Sequence, residues 1–118
     1  MPFKFENLKV WQTSLELANK VHLLSKTFPK DELFVLSSQI KRAADSISLN
    51  IAEGSTGQSN EEFKRFLGYS IRSGIEVVAC LYLAKKREYI NDKQFHELYE
   101  SLDSLIKSIQ ALKKTLIK

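Results

Sequence analysis

The stretch from Phe95 to Leu116 reads FHELYESLDSLIKSIQALKKTL. Large apolar side chains recur along it at alternating intervals of three and four residues, without a break. That spacing is typical of a helix that packs lengthwise against other helices. The apolar stripe consists of Phe95, Leu98, Leu102, Leu105, Ile109, Leu112 and Leu116. The stretch therefore predicts a long amphipathic helix of a bundle.

A similar stripe lies earlier in the chain and predicts a second helix. Its members are Leu33, Leu36, Ile40, Ala43, Ile47 and Ile51. Helix-ending and helix-starting signals divide the rest of the chain. They are Pro29, Gly54, and the capping pairs Ser59 with Glu62 and Asn91 with Gln94. We interpret Gly54 as the left-handed residue that ends the second helix.

These signals predict four helices, over residues 7–28, 31–53, 60–87 and 92–117. Connections as short as those between them make sequential helices antiparallel neighbours. The sequence therefore predicts an all-α fold, an antiparallel up-down-up-down four-helix bundle. A chain of 118 residues fits one such domain, which we assign to residues 1–118.

The first and third predicted helices carry more apolar surface than a monomeric bundle requires. The first has one stripe through Trp11 and Leu15 and a second, roughly 120° away, through Leu17 and Val21. A bundle helix needs an apolar arc of only a little over about 100°. A wide core face within one bundle and a subunit interface both account for the surplus. Because large apolar patches are rarely left exposed, we expect a closed homo-oligomer.

Composition narrows the function classes. The longest uninterrupted apolar run, Val77 to Ala84, is far shorter than the roughly 20 residues that span a membrane, so we expect no membrane partner. Cys80 is the only cysteine, which excludes an internal disulfide and suits a reducing compartment. We therefore expect a cytoplasmic protein. The net charge of +4 permits nucleic-acid binding without requiring it.

The residue patterns of an enzyme or a metal site are missing from the sequence. Di-metal bundles need Glu-x-x-His pairs, and zinc needs a cluster of cysteines and histidines; neither occurs. The segment Gly54 to Gly57 lacks the lysine of a phosphate-binding loop. Cys80 lies among apolar residues and is predicted to be a buried thiol. We expect no enzymatic activity and no cofactor.

A ladder of polar side chains runs beside the apolar stripe of the second predicted helix. It consists of Gln39, Arg42, Ser46, Asn50 and Glu53. At the edge of a core, a polar group that lacks a partner costs about 1–3 kcal/mol. An ordinary solvated flank is one interpretation, and a paired ladder that fixes helix or subunit register is the other. We predict a structural role, in which Arg42, Asn50 and Glu53 pair at a helix or subunit interface.

The same segment resembles a known family. Residues 38–54, SQIKRAADSISLNIAEG, resemble the pattern S-Q-x-x-R-A-x-x-S-I-x-x-N-I-A-E-G of the bacterial four-helix bundle proteins encoded in intervening sequences of 23S ribosomal RNA genes. Residues 5–12 resemble the opening of that family, and Phe28-Pro29-x-x-Glu32 resembles its first loop. Arg72 departs from the pattern at a position that is usually glycine, which bears on close packing in the third helix.

The resemblance implies an up-down bundle that assembles into a ring-like homopentamer. A relative of the family is the accessory protein of diversity-generating retroelements, a pentameric bundle that binds nucleic acid and the reverse transcriptase. For most members of the family no activity is established.

The distribution of charge indicates where nucleic acid would bind. Antiparallel topology gathers the chain ends and the second connection at one end of the bundle. The candidate nucleic-acid-binding residues at that end are Lys4, Lys9, Lys64, Arg65, Lys113, Lys114 and Lys118. A ring would repeat this excess and attract phosphates of RNA or DNA. The alternative is an oligomeric scaffold for a partner protein, with lysines that only complement helix dipoles.

Overall fold

The computed structural model describes residues 2–57 and 59–116, and within them all regular structure is helical. The four helices are α1 (Lys9–Ser25), α2 (Leu36–Ser55), α3 (Asn60–Lys86) and α4 (Asp92–Thr115). Short 3₁₀ turns at Lys4–Asn7 and Lys30–Glu32 precede α1 and α2. The molecule measures 45 × 22 × 22 Å, so helices of this length run along most of it. The predicted antiparallel four-helix bundle is confirmed.

One apolar core runs along the axis of the bundle. The α4 stripe is buried from Phe95 to Ile109, and its last members, Leu112 and Leu116, are half-buried where the bundle ends. The α2 stripe is buried from Leu36 to Ile51. The alternation of three and four residues thus predicted the core-facing sides of both helices correctly.

The start of α2 was predicted wrongly. The helix begins at Leu36 rather than at residue 31, and Leu33 is 49% exposed. A carboxylate oxygen of Glu32 accepts the backbone N–H of Leu36 at 3.3 Å, so this side chain satisfies a free amide at the start of the helix. The first helix also ends earlier than predicted, at Ser25, where tighter turns follow: the Thr27 N–H bonds the Leu24 carbonyl and the Phe28 N–H bonds the Ser25 carbonyl. Pro29 disfavours helical backbone only at Phe28, the residue before it.

Gly54 does not end α2 in the left-handed conformation, so that prediction was wrong as well. It is buried inside the helix, which continues to Ser55, and the positive φ of +32° belongs to Gly57. Gly54 instead allows α3 to approach, because a Cβ added to it would lie 2.5 Å from the Cβ of Phe66. Tertiary packing therefore explains this glycine.

The predicted capping residues of α3 and α4 are confirmed. The Ser59 hydroxyl accepts the backbone N–H of Glu62 at 3.1 Å. At the start of α4 the capping box is reciprocal: the Asn91 side chain accepts the Gln94 N–H at 2.8 Å, and the Gln94 side chain accepts the Asn91 N–H at 2.9 Å. Each bond satisfies an amide that the helix itself leaves unpaired.

Small residues hold α2 and α3 close together along what we call the α2–α3 seam. The Ser70 hydroxyl, fully buried, donates to the backbone carbonyl of Ile47 across the seam. A small residue also allows close packing where α3 meets α4, since Gly74 is buried and a Cβ on it would lie 3.1 Å from Ile106 of α4. Arg72, where the family more often has glycine, is exposed and leaves this close packing intact.

The bundle covers part of the surplus apolar surface. Ala18 is buried, and Trp11 is half-buried against the core with its ring 4.8 Å from that of Phe5. Leu15 stays 51% exposed, and Ile75 of α3 is 56% exposed. Self-association is therefore still a prediction, and it now rests on fewer side chains of α1 than the sequence suggested.

By length and composition, α3 also resembles a membrane span. An 18-residue window within Asn60–Lys86 has a mean hydropathy of 1.3, and 33% of that window is buried in the bundle. The core helix of a bundle meets the same criteria, so these two properties do not separate the two kinds of helix. The expectation that the chain has no membrane partner stays a prediction.

Candidate nucleic-acid interface

A groove of about 940 Å³ opens between α3 and α4, near the end of the bundle where the α2–α3 connection lies. Five cationic side chains line it: Lys64, Arg65, Arg72, Lys113 and Lys114. The other lining residues are Gly68, Tyr69, Ile71, Gln110 and Leu116. Within residues 2–57 and 59–116, no carboxylate lines the groove. We call this feature the basic groove.

Helical spacing explains why these side chains meet. On α3, Arg65 and Arg72 are seven residues apart, about two turns, which brings them to nearly the same side of the helix about 10 Å apart along its axis. Lys113 is half-buried on the opposing wall. Its ammonium lies above Gly68, since a Cβ added to that glycine would be 3.4 Å from Nζ. The missing side chain at Gly68 leaves the floor of the groove open.

Most of the positive charge in the groove is not neutralised by neighbouring side chains. Arg65 lies 3.5 Å from a Glu62 carboxylate oxygen, an exposed contact within one helix that is worth less than about 1 kcal/mol. Among the described residues, none of the other four lining cations forms an ion pair. The groove thus presents ammonium and guanidinium donors to solvent, the arrangement that suits phosphate oxygens.

One wall of the basic groove also carries an aromatic ring. Tyr69 is 43% exposed, and its ring packs edge-on against Phe66 with centroids 5.5 Å apart. The Arg65 guanidinium lies 5.8 Å from the centre of the Phe66 ring. This packing holds Tyr69 beside the cations while it leaves part of the ring accessible.

The structure brings together four of the seven residues proposed from sequence, Lys64, Arg65, Lys113 and Lys114. Lys4 and Lys9 do not line the groove. Lys4 instead places its ammonium 5.2 Å from the centre of the Phe63 ring, and Lys9 is exposed in the first turn of α1. Lys118 lies outside the described residues.

Sequence reasoning missed two groove residues, Arg72 and Tyr69. Arg72 was treated only as a departure from the family pattern. Its spacing of seven residues from Arg65 was the signal that could have placed it on the same side of α3. Tyr69 falls between those cations, at a position where an aromatic residue is otherwise readily attributed to the core.

The polar ladder lies along the outer edge of the α2–α3 seam. Ser46 is its centre: the Asn50 amide donates to the Ser46 hydroxyl at 2.9 Å, and the Ser73 hydroxyl of α3 donates to the same oxygen at 2.9 Å. The Gln39 amide donates to Glu76 of α3 at 3.2 Å. The bonds of Ser73 and Glu76 join the ladder to α3, and the Asn50 bond lies within α2.

Arg42 and Glu53 behave differently from the rest of the ladder. Both are exposed, and within the described part of the chain they form neither an ion pair with each other nor a side-chain hydrogen bond with Asn50. Arg42 lines a second groove of about 520 Å³ beside Phe34 and Glu76. The predicted pairing of Arg42, Asn50 and Glu53 therefore does not occur inside one chain, and a subunit interface is the alternative that stays a prediction.

Cys80 is buried with 1% of its surface exposed, as the sequence predicted. Burial, together with the nearby charge of Glu76, raises the pKa of its thiol to about 11. At neutral pH the nucleophilic thiolate is therefore scarce. Among the residues that the structure describes, no three histidine, cysteine or carboxylate side chains cluster in a way that could hold a metal ion.

A sequence model of the family described as 23S rRNA-intervening sequence protein matches residues 6–111. The chain belongs to this family. Among solved structures it is similar to a protein of unknown function from the S23 ribosomal protein family of Bacteroides thetaiotaomicron VPI-5482. The two share 29% sequence identity and a TM-score of 0.83, over 89% of this chain and 98% of the other. No curated protein matches the chain.

The structure gives physical reasons for the segments that carried the family resemblance. Residues 38–54 form most of α2, where Ser46 and Gly54 provide the close approach to α3. In the first loop, Glu32 accepts the Tyr89 hydroxyl at 2.7 Å and lies 3.4 Å from Arg87. Glu32 thereby joins the α1–α2 loop to the end of α3. The link to the retroelement accessory protein and the pentameric state stay predictions.

Proposed function

We propose that the chain is a non-enzymatic homo-oligomer that binds RNA or DNA through the basic groove. The observation that carries the proposal is the convergence of five cationic side chains on a groove without a lining carboxylate among the described residues. Cations so placed gain binding free energy when phosphates displace their counterions, and this gain falls as salt concentration rises. The bonds of Asn50 and Ser73 to Ser46 support a structural role for the ladder.

Exposed apolar side chains support the oligomeric part of the proposal. Phe34 is 87% exposed, Val35 60%, Leu49 65% and Ile75 56%. Apolar surface of this kind often marks protein–protein contacts. A closed ring, of five subunits as the resemblance implies, would present one basic groove per subunit and strengthen the positive potential that one chain produces.

Titration of a fluorescein-labelled oligonucleotide by fluorescence anisotropy, at several salt concentrations between roughly 50 and 200 mM, tests the binding site. We expect affinity to fall steeply with salt. The double variant Lys113→Ala with Lys114→Ala should weaken binding and make the slope of log K against log salt shallower by about 2, one unit for each phosphate that the variant no longer neutralises. Light scattering of the same samples should give a mass that is a multiple of 13.6 kDa.

The matched control is Lys26→Ala with Lys30→Ala. This variant removes the same charge from exposed residues on the α1–α2 side of the bundle, outside the basic groove. It should bind as the parent does. If the two double variants lose affinity equally, binding depends on total charge and the groove is not the site. A monodisperse mass of one chain would contradict the oligomer.

A protein-binding scaffold is the second candidate, and the groove lined by Phe34 and Arg42 favours it. That groove combines a strongly exposed aromatic ring with a guanidinium, two residue types that are enriched in protein interfaces. The absence of any salt-dependent nucleic-acid binding by the oligomer would favour this second function.

A further inference from the structure

Building on the proposed nucleic-acid role, we infer that the basic groove takes a single strand, with an unpaired base stacked on Tyr69. The juxtaposition that points to this is an accessible aromatic ring in a groove whose two walls both carry cations. Non-specific single-strand binding sites combine these same two features, a positively charged track for the backbone and aromatic rings for the bases.

Tyr69 is held in position for stacking. Its ring is fixed edge-on against Phe66 at an interplanar angle of 80°, yet 43% of the residue is exposed. Arg72 lies three residues farther along α3, on the same lining. A ring supported by a neighbour loses little conformational freedom when a base stacks on it, so the stacking contributes fully to affinity.

The phosphate contacts come from both sides of Tyr69. Arg65 and Arg72, four residues before and three residues after it, are its neighbours on α3, and Lys113 and Lys114 line the groove from α4. Lys113 reaches over the glycine floor, where its Nζ would be 3.4 Å from a Cβ at Gly68. A strand laid along the groove therefore meets cations before, beside and after the ring.

A duplex does not satisfy this geometry. The bases of a duplex are already paired and stacked inside it, so they offer no free face to Tyr69. A duplex would therefore contact the cations without stacking, and its binding would not depend on the tyrosine ring.

The test compares three probes on the oligomeric protein: a labelled oligouridylate, an abasic strand of the same length, and a duplex of that length. The parent should prefer the oligouridylate to the abasic strand. Tyr69→Ala should weaken oligouridylate binding by about 5- to 150-fold, the effect of losing one base–aromatic stack, and leave abasic and duplex binding unchanged. Tyr69→Phe, which retains the ring, should keep the preference.

The matched control is Tyr82→Ala. Tyr82 is an exposed tyrosine of the same helix, 54% accessible, which also packs edge-on against a phenylalanine but lies outside the basic groove. The Tyr82→Ala variant should bind all three probes with the affinity of the parent. Melting curves of each variant identify any loss that comes from unfolding, and Tyr69→Phe then reports on the ring in a folded chain.

Two results overturn the inference, and each is distinct from failure of the proposed function. One is equal affinity of the parent for the oligouridylate and the abasic strand. The other is a Tyr69→Ala variant that keeps the parent's preference. If either occurs while the double variant Lys113→Ala with Lys114→Ala still weakens binding, the groove binds phosphates and no base stacks on Tyr69. If the lysine variant binds every probe as the parent does, the proposed function itself fails.

Discussion

The α2–α3 seam and the basic groove share one helix and differ in what occupies the space beside it. At the seam, Gly54 faces the Cβ of Phe66, and Ser46 bonds directly to Ser73. At the groove, the nearest atom to a Cβ on Gly68 is the mobile end of Lys113. The same residue type thus closes one interface and opens the other.

Two glycines of α3 that both face α4 show the same difference between close packing and open space within a few residues. Gly74 lies beneath the Ile106 side chain, and a Cβ there would be 3.1 Å from it, tighter than an ordinary contact. Gly68, six residues earlier, has no apolar atom of α4 above it at that range. A small residue on a helix therefore indicates close helix packing only when the side chain that faces it is known. Packing density separates a structural position from an accessible one.

Arg42→Ala should have the largest effect on stability. This variant tests whether the outer edge of the seam is also an interface between subunits. If Arg42 pairs with carboxylates of a neighbouring subunit, its removal strands those charges and costs about 3–5 kcal/mol per ion pair. We expect light scattering to show smaller species than the parent forms. The melting temperature of the assembly should fall as well.

The control for Arg42 is Lys41→Ala, a neighbouring cation on the same helix that belongs to neither the ladder nor a groove. It should leave mass and melting unchanged. If Arg42→Ala keeps the mass and melting of the parent but lowers nucleic-acid affinity, the ladder is a ligand site and its structural assignment is wrong.

Gly54→Ala and Gly68→Ala make the same chemical change at the seam and at the groove, and they should have opposite signs. At Gly54 the new methyl group would meet the Phe66 Cβ at 2.5 Å, so we expect a loss of about 1–3 kcal/mol from overpacking. At Gly68 the lysine can move aside, and the better helix propensity of alanine should add up to about 1 kcal/mol. Urea titration measures both, and equal effects would refute the contrast.

Tyr89→Phe should have the smallest effect on stability, and this effect comes from the charge of Glu32 rather than from packing. The hydrogen bond from Tyr89 is the main reason that the pKa of Glu32 lies below its ordinary value of 4.5, with the Leu36 amide and Arg87 acting in the same direction. A lowered pKa stabilises the fold above the ordinary value, and this stabilisation is lost as pH falls through the folded pKa.

We therefore expect Tyr89→Phe to melt a few degrees below the parent at neutral pH, with the two curves converging in acid. Unlike the groove cations, Glu32 has its partners inside the chain. Tyr99→Phe is the control, since among the described residues its hydroxyl makes no hydrogen bond to a side chain. A difference that stays constant from pH 7 to pH 3 would show that Glu32 is not its cause.

The sequence predicted the structure correctly where regular spacing alone determines which residues face the core. It predicted wrongly where tertiary contacts determine the ends of a helix or the role of a glycine. The α4 stripe was recoverable because Leu102 and Ile109 face the core whatever their neighbours are. The start of α2 was not, since Leu33 fits the helical period but the helix begins at Leu36, whose free amide is satisfied by the Glu32 side chain. Gly54 resembled a helix terminator until its packing against Phe66 was visible.

The candidate site depends even more strongly on tertiary contacts that the sequence does not reveal. Topology alone predicted that Lys64 and Lys113 lie at one end of the bundle. It could not predict that they face each other across an open groove, because that depends on how α4 sits against Gly68. Arg72 and Tyr69 belong to the site only through that placement.

The order in which the helices pack also bears on how the chain folds. Each helix packs mainly against the one before or after it in sequence, and of the four pairs of adjacent helices α1 and α4 make the smallest contact. Proteins with mostly local contacts reach the native state quickly, since little chain entropy is lost before each contact forms. The packing of α1 against α4 closes the longest loop in the bundle and so carries the largest entropic cost of closure. Folding should therefore proceed along the chain and finish where its two ends meet.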